Sequence, residues 1–272
     1  MQRRCSSGVL LALALVAAGC AGLTPREEER LGAQMHWQLL HENALLGDEV
    51  VGQYVDSIGS AILQAAPDDE FPYRFFVLVS DETNAFAAPG GYVYVHTGTI
   101  LRSRNVAELA AVLAHEVGHV ERRHVAANVG RRRTVGLAQQ LGVVAAGVAA
   151  GPAAASAVSL LGGAASLAAL NSFGREAESE ADAFAVEILP RAGYDPEGLV
   201  TFFQTLEQEK GASPPAFLSS HPATEARVAE TRRLVDALPD REHLRRDDGG
   251  RLEIIQERIR LLTGVVDPAA AP

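Results

Sequence analysis

The feature that most constrains the fold is a pair of histidines, His115 and His119, within an otherwise apolar helical pattern. Residues four positions apart lie about 40° apart around an α-helix, so both imidazoles project from one face. Glu116 lies about 100° from His115, beside that face. The apolar residues around this motif are Leu109, Val112, Leu113 and Val117. A helix buried by such residues needs an electrostatic reason to carry two imidazoles and a carboxylate.

The order His-Glu-x-x-His on a helix is typical of a zinc site. The motif also occurs by chance on solvated helices, but the apolar flanks favour a metal site here. A catalytic zinc ion has three protein ligands and one open position for water. We therefore predict one Zn²⁺ per chain, bound by His115 and His119, with Glu116 as the base that takes a proton from the water. The third ligand must come from another element.

A second predicted helix, over residues 175–189, begins with a run of carboxylates. Glu178 and Asp182 are four positions apart and share a face. Glu178 can therefore bind the metal while Asp182, behind it, accepts an N–H bond from a ligand histidine. Arg175 is close enough in sequence to hold one of these carboxylates by a charge-assisted hydrogen bond. Solvent exposure explains other carboxylates of this helix, such as Glu180.

The charge balance excludes one class of partner. The chain has 24 basic and 34 acidic residues, and its formal net charge is −10. No basic surplus is available to neutralise phosphates, so we expect no nucleic-acid partner. The dense basic run at residues 131–133 is most simply a solvated helix end.

The N-terminal residues have the composition of a secretory signal. Two arginines precede an apolar stretch over residues 9–18 that is too short to span a bilayer. We predict a signal peptide over residues 1–19. The small residues before Cys20 resemble the lipobox of bacterial lipoproteins, which implies cleavage before Cys20 and acylation of its thiol and new amino group. Residues 20–26 would then form the lipid anchor and a linker.

The predicted anchor also indicates a location. The residue after Cys20 is Ala21 rather than aspartate, and the resemblance to Gram-negative lipoproteins then implies sorting to the outer membrane. We expect a protein bound by its lipid to the membrane at the periplasmic face of the cell envelope. Cys5 leaves with the signal and Cys20 is lipidated, so no thiol remains for a disulfide.

The apolar periodicity predicts an α+β domain over residues 27–238 that is mostly helical and contains a small β-sheet. The predicted helical regions cover about 25–64, 105–129, 175–189, 196–209 and 223–238, and the predicted strands cover 75–79 and 92–96. On a continuous helix His124 lies about 140° from His119, so it cannot share the same ion.

Two further segments remain open to alternatives. Residues 141–170 carry no charge and are long enough to span a membrane, but Gly151-Pro152 interrupts them. We favour an apolar helical hairpin that packs on the domain or touches the membrane surface. Residues 239–272 are highly charged, with a weak amphipathic piece near 252–262, and we predict a partly disordered tail.

Five segments occur in the order found in one known family: NAFAAPGG at 84–91, HEVGH at 115–119, RxxExEAD at 175–182, GYDP at 193–196, and SHP at 220–222 with Arg227. Together they resemble the M48 zinc metallopeptidases, which include CAAX-processing, HtpX and periplasmic lipoprotein proteases. The resemblance covers roughly residues 27–235. It implies a zincin-like fold, Glu178 as the third zinc ligand, and polypeptide substrates. These would be misfolded or stalled envelope proteins, chiefly outer-membrane proteins.

His221 has two interpretations. In periplasmic members the matching histidine can reach the zinc, as a fourth ligand that quiets the enzyme or as a group near the reacting carbonyl. The alternative is an ordinary loop histidine before a helix.

The predicted strand at 92–96 also has a functional interpretation. Proteases commonly hold substrate extended along a sheet edge, where main-chain hydrogen bonds accept any sequence. Gly90 and Gly91 would let a substrate backbone approach, and Tyr92, Val93 and Tyr94 would form the substrate strand. A plain hairpin fits the same pattern.

A rival function is an autoinhibited, chaperone-like or scaffold lipoprotein that binds outer-membrane protein clients with its zinc site shut. Periplasmic relatives of that kind carry a C-terminal TPR region, and no repeat of about 34 residues occurs here. An integral CAAX-type protease would need several membrane spans, and the sequence contains at most one candidate. We therefore favour a zinc endopeptidase.

Overall fold

The computed structural model describes residues 23–67, 71–131, 172–208 and 215–264. The helices are α1 (Pro25–Glu42), α2 (Glu49–Ala65), α3 (Thr97–Arg102), α4 (Val106–Glu121), α5 (residues 124–131), α6 (Arg175–Arg191), α7 (Glu197–Gln208), α8 (Ala216–Ser220), α9 (Glu225–Asp236) and α10 (Arg251–Thr263). The strands are β1 (Arg74–Leu78), β2 (Ala85–Ala88) and β3 (Tyr92–His96). The predicted mostly helical α+β fold with a small sheet is confirmed.

Several predictions fall outside the described residues. These are the signal peptide, the lipidated Cys20, the apolar hairpin at 141–170 and the last residues of the tail. Within the described ranges, the longest apolar helices fall short of what a bilayer crossing requires.

The sheet has the strand order β1-β3-β2. Strand β3 pairs in parallel with β1, where Tyr92 lies opposite Arg74, and antiparallel with β2, where Tyr92 lies opposite Ala88. Val93 and Val95 of β3 join the main apolar core. Tyr92 and Tyr94 belong to a second apolar cluster on the α1 side. The short sheet is therefore covered on both faces by helices.

The predicted substrate strand is wrong. Because β3 is central and paired on both sides, it has no edge along which a substrate could lie. Gly90 and Gly91 serve the chain's own packing: both have positive φ, 77° and 84°. A Cβ added at Gly90 would lie 2.6 Å from Cα of Glu29, and one at Gly91 would lie 3.2 Å from Cβ of Phe71. The two glycines allow the turn before β3, and the residues packed against them leave no room for a substrate backbone.

Helix α4 lies at the centre of the domain, and only its last residue is not buried. Its N-terminus is capped by Asn105, whose Oδ1 accepts the N–H of Glu108 at 3.0 Å. Helices α2, α6 and α7 and strand β2 contribute to the core around it. A rigid, fully buried helix of this kind fixes the direction of each polar side chain it carries.

The helix predicted over 105–129 is in fact two helices. Helix α4 ends at Glu121, and Arg123 adopts the left-handed conformation with φ of 54° before α5 begins. This conformation is uncommon for a residue with a Cβ atom. The break redirects the chain, so the angular argument that separated His124 from His119 does not apply.

The predicted tail from residue 239 also needs correction. Helix α10 packs against α2 and α3, and its residues Leu252, Ile255 and Ile259 are buried in the main core. Nε2 of the Gln256 side-chain amide donates to the backbone carbonyls of Ile100, at 2.9 Å, and Ser103, at 2.8 Å. The folded domain therefore extends to at least residue 263.

Candidate metal centre

The close contact of α4 and α6 brings the two predicted polar faces together. At Gly118, an added Cβ would lie 3.1 Å from Phe184 and 3.2 Å from the backbone of Ala181. A larger residue within the HEVGH motif would therefore push α6 away. The close approach of α6 therefore explains why position 118 of the motif is a glycine.

Four buried side chains place their ligand atoms within 4.8 Å of one another: His115, His119, Glu178 and His221. Nε2 of His115 lies 3.0 Å from Nε2 of His119. Glu178 lies 3.5 Å from the first ring and 3.6 Å from the second. Nδ1 of His221 is 3.3 Å from His115 Nε2 and 2.9 Å from Glu178 Oε1. These are the three predicted ligands together with the histidine that had two interpretations.

This donor set fits a zinc ion. Nitrogen and oxygen ligands bind zinc at about 2.0–2.2 Å, so neighbouring ligand atoms of a tetrahedral site lie about 3.3–3.6 Å apart. The separations between the donor atoms here are close to that range. Neutral imidazoles and a carboxylate are also the chemical groups that zinc prefers. The burial of four such side chains with their ligand atoms facing one another has a physical reason if a cation binds among them.

Behind the ligands lies Asp182, on the same face of α6 as Glu178. Its Oδ1 is 2.9 Å from Nδ1 of His115, the contact expected for a carboxylate that orients a ligand histidine. Burial opposes a charge on His115, but Asp182 and Glu178 outweigh it and raise the pKa of His115 to about 9. The two carboxylates thus make this pocket attractive to a positive charge.

The guanidinium that holds these carboxylates is that of Arg227, from α9, and not that of Arg175. Arg227 contacts Asp182 through two nitrogens, at 2.6 Å and 2.7 Å, and lies 2.6 Å from Oε2 of Glu178. Thr231 donates a further bond to Asp182 at 3.2 Å. Arg175 is exposed at the start of α6 and makes no ion pair with either carboxylate in the described part of the chain. The prediction for Arg175 is corrected, because α9 supplies a buried arginine from another part of the chain.

The charge state of the carboxylates follows from these contacts. Burial alone would raise the pKa of Glu178, but the hydrogen bonds from His115 and His221 outweigh burial and lower it. Burial would likewise raise the pKa of Asp182, but the Arg227 guanidinium lowers it. Both groups are therefore held as anions.

Glu116 differs from these two carboxylates. It is fully buried, and among the described residues neither of its oxygens has a hydrogen-bond partner. Nε2 of His221 lies 3.5 Å from its Oε1. Burial raises the pKa of Glu116, and the nearby histidines oppose that shift. A buried carboxylate without a partner is costly, and it is the expected state of a group whose partner is a reacting molecule.

The contact of His124 with the centre was not expected from the sequence. Nδ1 of His124 lies 2.9 Å from Nδ1 of His119, and Nε2 of His124 lies 3.0 Å from Oε2 of Glu180. No helical spacing predicts this contact, because it depends on the break between α4 and α5. Arg227, by contrast, is one of the residues that carry the family resemblance, since it follows the SHP segment in the family pattern.

Comparison with known proteins agrees with this geometry. The family model described as Peptidase family M48 matches residues 51–235, a range that contains all four possible ligands and Glu116. The chain belongs to peptidase family M48. The family resemblance seen in the sequence motifs is confirmed.

Individual M48 relatives are also similar. The chain is 34% identical over 212 residues to the beta-barrel assembly-enhancing protease of Escherichia coli (strain K12), covering 76% of this chain and 43% of that protein. It is 31% identical over 161 residues to Metalloprotease YcaL of the same organism, covering 59% of this chain and 61% of that protein. It is 28% identical over 193 residues to the mitochondrial metalloendopeptidase OMA1 of Schizosaccharomyces pombe, covering 69% and 53%. The chain spans less than half the length of the first of these relatives.

Proposed function

We propose that this M48 chain is a zinc-dependent endopeptidase that hydrolyses misfolded or stalled proteins of the bacterial cell envelope. The observation that carries the proposal is the position of Glu116. It is a buried, unpartnered carboxylate beside a group of three imidazoles and one carboxylate whose ligand atoms lie within 4.8 Å of one another. The relatives named above are proteases, which favours this function over the rival client-binding lipoprotein.

His115, His119 and Glu178 would hold the zinc. A zinc ion bound there lowers the pKa of a water and polarises a carbonyl oxygen. Glu116 can accept the proton of the attacking water, since its oxygens are unpartnered among the described residues and burial raises its pKa toward the working range of a base. It can later give that proton to the leaving amine. Asp182 and Arg227 orient the ligands and do not contact the substrate.

His221 is the fourth possible metal ligand, and we propose that it closes the metal site in the resting enzyme. Its Nδ1 faces Glu178 at 2.9 Å, while its Nε2 faces Glu116 at 3.5 Å. A fourth protein ligand would fill the position that a catalytic site leaves open for water. Its departure would free that position, so the chain's own histidine could regulate the activity.

The substrate would lie along β2, not β3. In the described part of the chain β1 and β2 are both edge strands, and within the sheet each pairs only with β3. The outer side of β1 is already bridged by Leu45 opposite Leu78, and the N–H of Leu46 donates to the carbonyl of Val77 at 2.8 Å, so we assign the substrate to β2. Ala87 of β2 packs with Val120, next to the second ligand histidine of α4. A substrate added as a further strand there would be held by main-chain hydrogen bonds, which suits unfolded chains of many sequences.

The location is the periplasmic face of the envelope, with the chain anchored through acylated Cys20, most simply in the outer membrane. The support comes from the N-terminal sequence and from the relative named for beta-barrel assembly. Cys20→Ala should abolish labelling by a radioactive or clickable palmitate and release the protein into the soluble periplasmic fraction. Retained labelling in that variant would contradict the anchor.

The activity is tested on the purified chain with casein as an unfolded substrate. We expect about one zinc per chain, hydrolysis that a chelator abolishes, and recovery when zinc is restored. His221→Ala should hydrolyse casein faster than the wild type if His221 shuts the site. Zinc-loaded wild type and His221→Ala that both leave casein intact would contradict the endopeptidase.

A further inference from the structure

His124 contacts the ligand histidine His119 on the side away from the metal position. The left-handed conformation of Arg123 turns the chain at the end of α4, and the His124 ring comes to lie with its centroid 5.0 Å from that of His119. Nδ1 of His124 is 2.9 Å from Nδ1 of His119. Both rings are buried, so water cannot substitute freely for this contact.

These contacts permit one consistent placement of protons. Nε2 of His119 faces the other donor atoms, 3.0 Å from Nε2 of His115, and a metal-binding nitrogen carries no proton. The His119 proton is then on Nδ1 and is donated to Nδ1 of His124. That leaves the His124 proton on Nε2, where Oε2 of Glu180 accepts it at 3.0 Å. Every donor in the series has an acceptor.

The His119 ring is also fixed in its plane. The ring of Phe173 stacks on it with a centroid distance of 3.9 Å and an interplanar angle of 19°. Stacking restricts the tilt of the imidazole, and the bond from Nδ1 restricts its rotation. The metal-binding nitrogen is thereby held in one direction.

The break that makes this possible is held by the N-terminal helix. Nε of Arg123 donates to Oε1 of Glu28 at 2.7 Å, and its Nη2 donates to the carbonyl of Leu23 at 2.5 Å. Glu28 is buried, and Leu23 packs against Ala126 of α5. These contacts offset the cost of a left-handed residue that has a side chain. They tie Leu23, three residues after Cys20, and Glu28 to the break beside the metal centre.

We propose that His124 and Glu180 are positioning residues that fix the tautomer and direction of His119, and that the Arg123–Glu28 contact holds His124 in place. The inference rests on the proposed function in one respect, that His119 binds zinc. A partner of this kind raises the basicity of the ligand, and its loss typically weakens metal affinity about 10–100-fold.

The first test measures zinc affinity by competition with a chromophoric chelator. His124→Leu should bind zinc about 10–100-fold more weakly than the wild type. His124→Asn should recover most of that loss, because its side-chain oxygen can accept the same bond from His119. His243→Leu, which removes an exposed histidine, should bind zinc as the wild type does. Equal affinity in His124→Leu and the wild type would overturn the inference.

The second test compares two exposed carboxylates of α6, so that comparison does not depend on a core substitution. Glu180→Ala should weaken zinc binding several-fold, whereas Glu176→Ala, on the same helix with the same charge change, should leave it unchanged. Glu28→Gln should weaken zinc binding as well, since it loosens the break before α5. Identical affinities for Glu180→Ala and Glu176→Ala would overturn the role of Glu180.

The two proposals fail in different ways. A wild-type chain that takes up no zinc contradicts the metal centre itself. A wild type that binds zinc tightly, together with His124 and Glu180 variants of the same affinity, contradicts only the positioning roles. The cobalt-substituted protein gives an independent readout, because a changed direction of His119 should alter its visible absorption spectrum.

Discussion

The metal centre and the C-terminal helix α10 place their charged residues in opposite ways. In the centre, Glu178, Asp182 and Arg227 are 2%, 2% and 7% exposed and contact each other. In α10 the charged side chains face solvent, while Leu252 and Ile259 fill the core. Both segments look charged in sequence. The burial of charged side chains, and not their number, therefore distinguishes the metal centre from α10.

The largest effect is expected at Glu116, the buried carboxylate without a partner. Glu116→Gln should lower kcat for casein by about 10²–10⁴-fold, which corresponds to about 3–5 kcal/mol of transition-state stabilisation. Zinc content and thermal stability should remain, because the amide is isosteric and removes a buried charge. Hydrolysis at the wild-type rate by this variant would show that another group is the base.

Arg227 should have the next largest effect, and its effect should be on stability. Arg227→Ala leaves Asp182 and Glu178 buried without their cation, which costs about 3–5 kcal/mol. Arg233→Ala, on the same helix, removes an exposed arginine and should leave the denaturation midpoint unchanged. Urea denaturation of the metal-free variants measures both. Equal midpoints would mean that the buried charges do not depend on Arg227.

In α10 we expect the buried apolar side chains, and not the charged ones, to contribute most to stability. Ile259→Ala should reduce the free energy of unfolding by about 2–5 kcal/mol, because the side chain is fully buried. Ile254→Ala, on the same helix but 66% exposed, should change it little. Activity per folded molecule should be unaffected in both. A loss of zinc affinity in Ile259→Ala would show that the packing of α10 affects the metal centre.

The smallest effect is expected at Arg175. Arg175→Ala should change the free energy of unfolding by about 0.5 kcal/mol or less, since the residue is exposed and, among the described residues, forms no ion pair with Glu178 or Asp182. Zinc affinity should also be unchanged. A stability loss as large as that of Arg227→Ala would restore the role that the sequence predicted for Arg175.

The sequence predicted the parts of the centre that local spacing determines. His115 and His119, and likewise Glu178 and Asp182, are four residues apart on helices, so helical geometry alone places each pair on a shared face. The nearness of Arg227 could not be derived from spacing, because α9 meets α6 only through the packing of the whole domain. Only its family motif pointed to it.

The incorrect predictions also concern features that depend on contacts between distant parts of the chain. The break at Arg123 has no glycine or proline signal, and it is held by Glu28 from a distant helix. The substrate strand was misplaced because strand order depends on which strand enters the middle of the sheet. The charge of residues 239–272 does not reveal helix α10, because few buried apolar residues, Ile259 among them, suffice to dock a short helix whose other faces are charged.

The position of the metal can be found by anomalous diffraction at the zinc absorption edge from crystals of the purified chain. We predict one zinc peak bonded to Nε2 of His115, Nε2 of His119 and a carboxylate oxygen of Glu178, at about 2.0–2.2 Å. A peak elsewhere, or a zinc ion bound to the histidines with Glu178 turned away from it, would contradict this prediction.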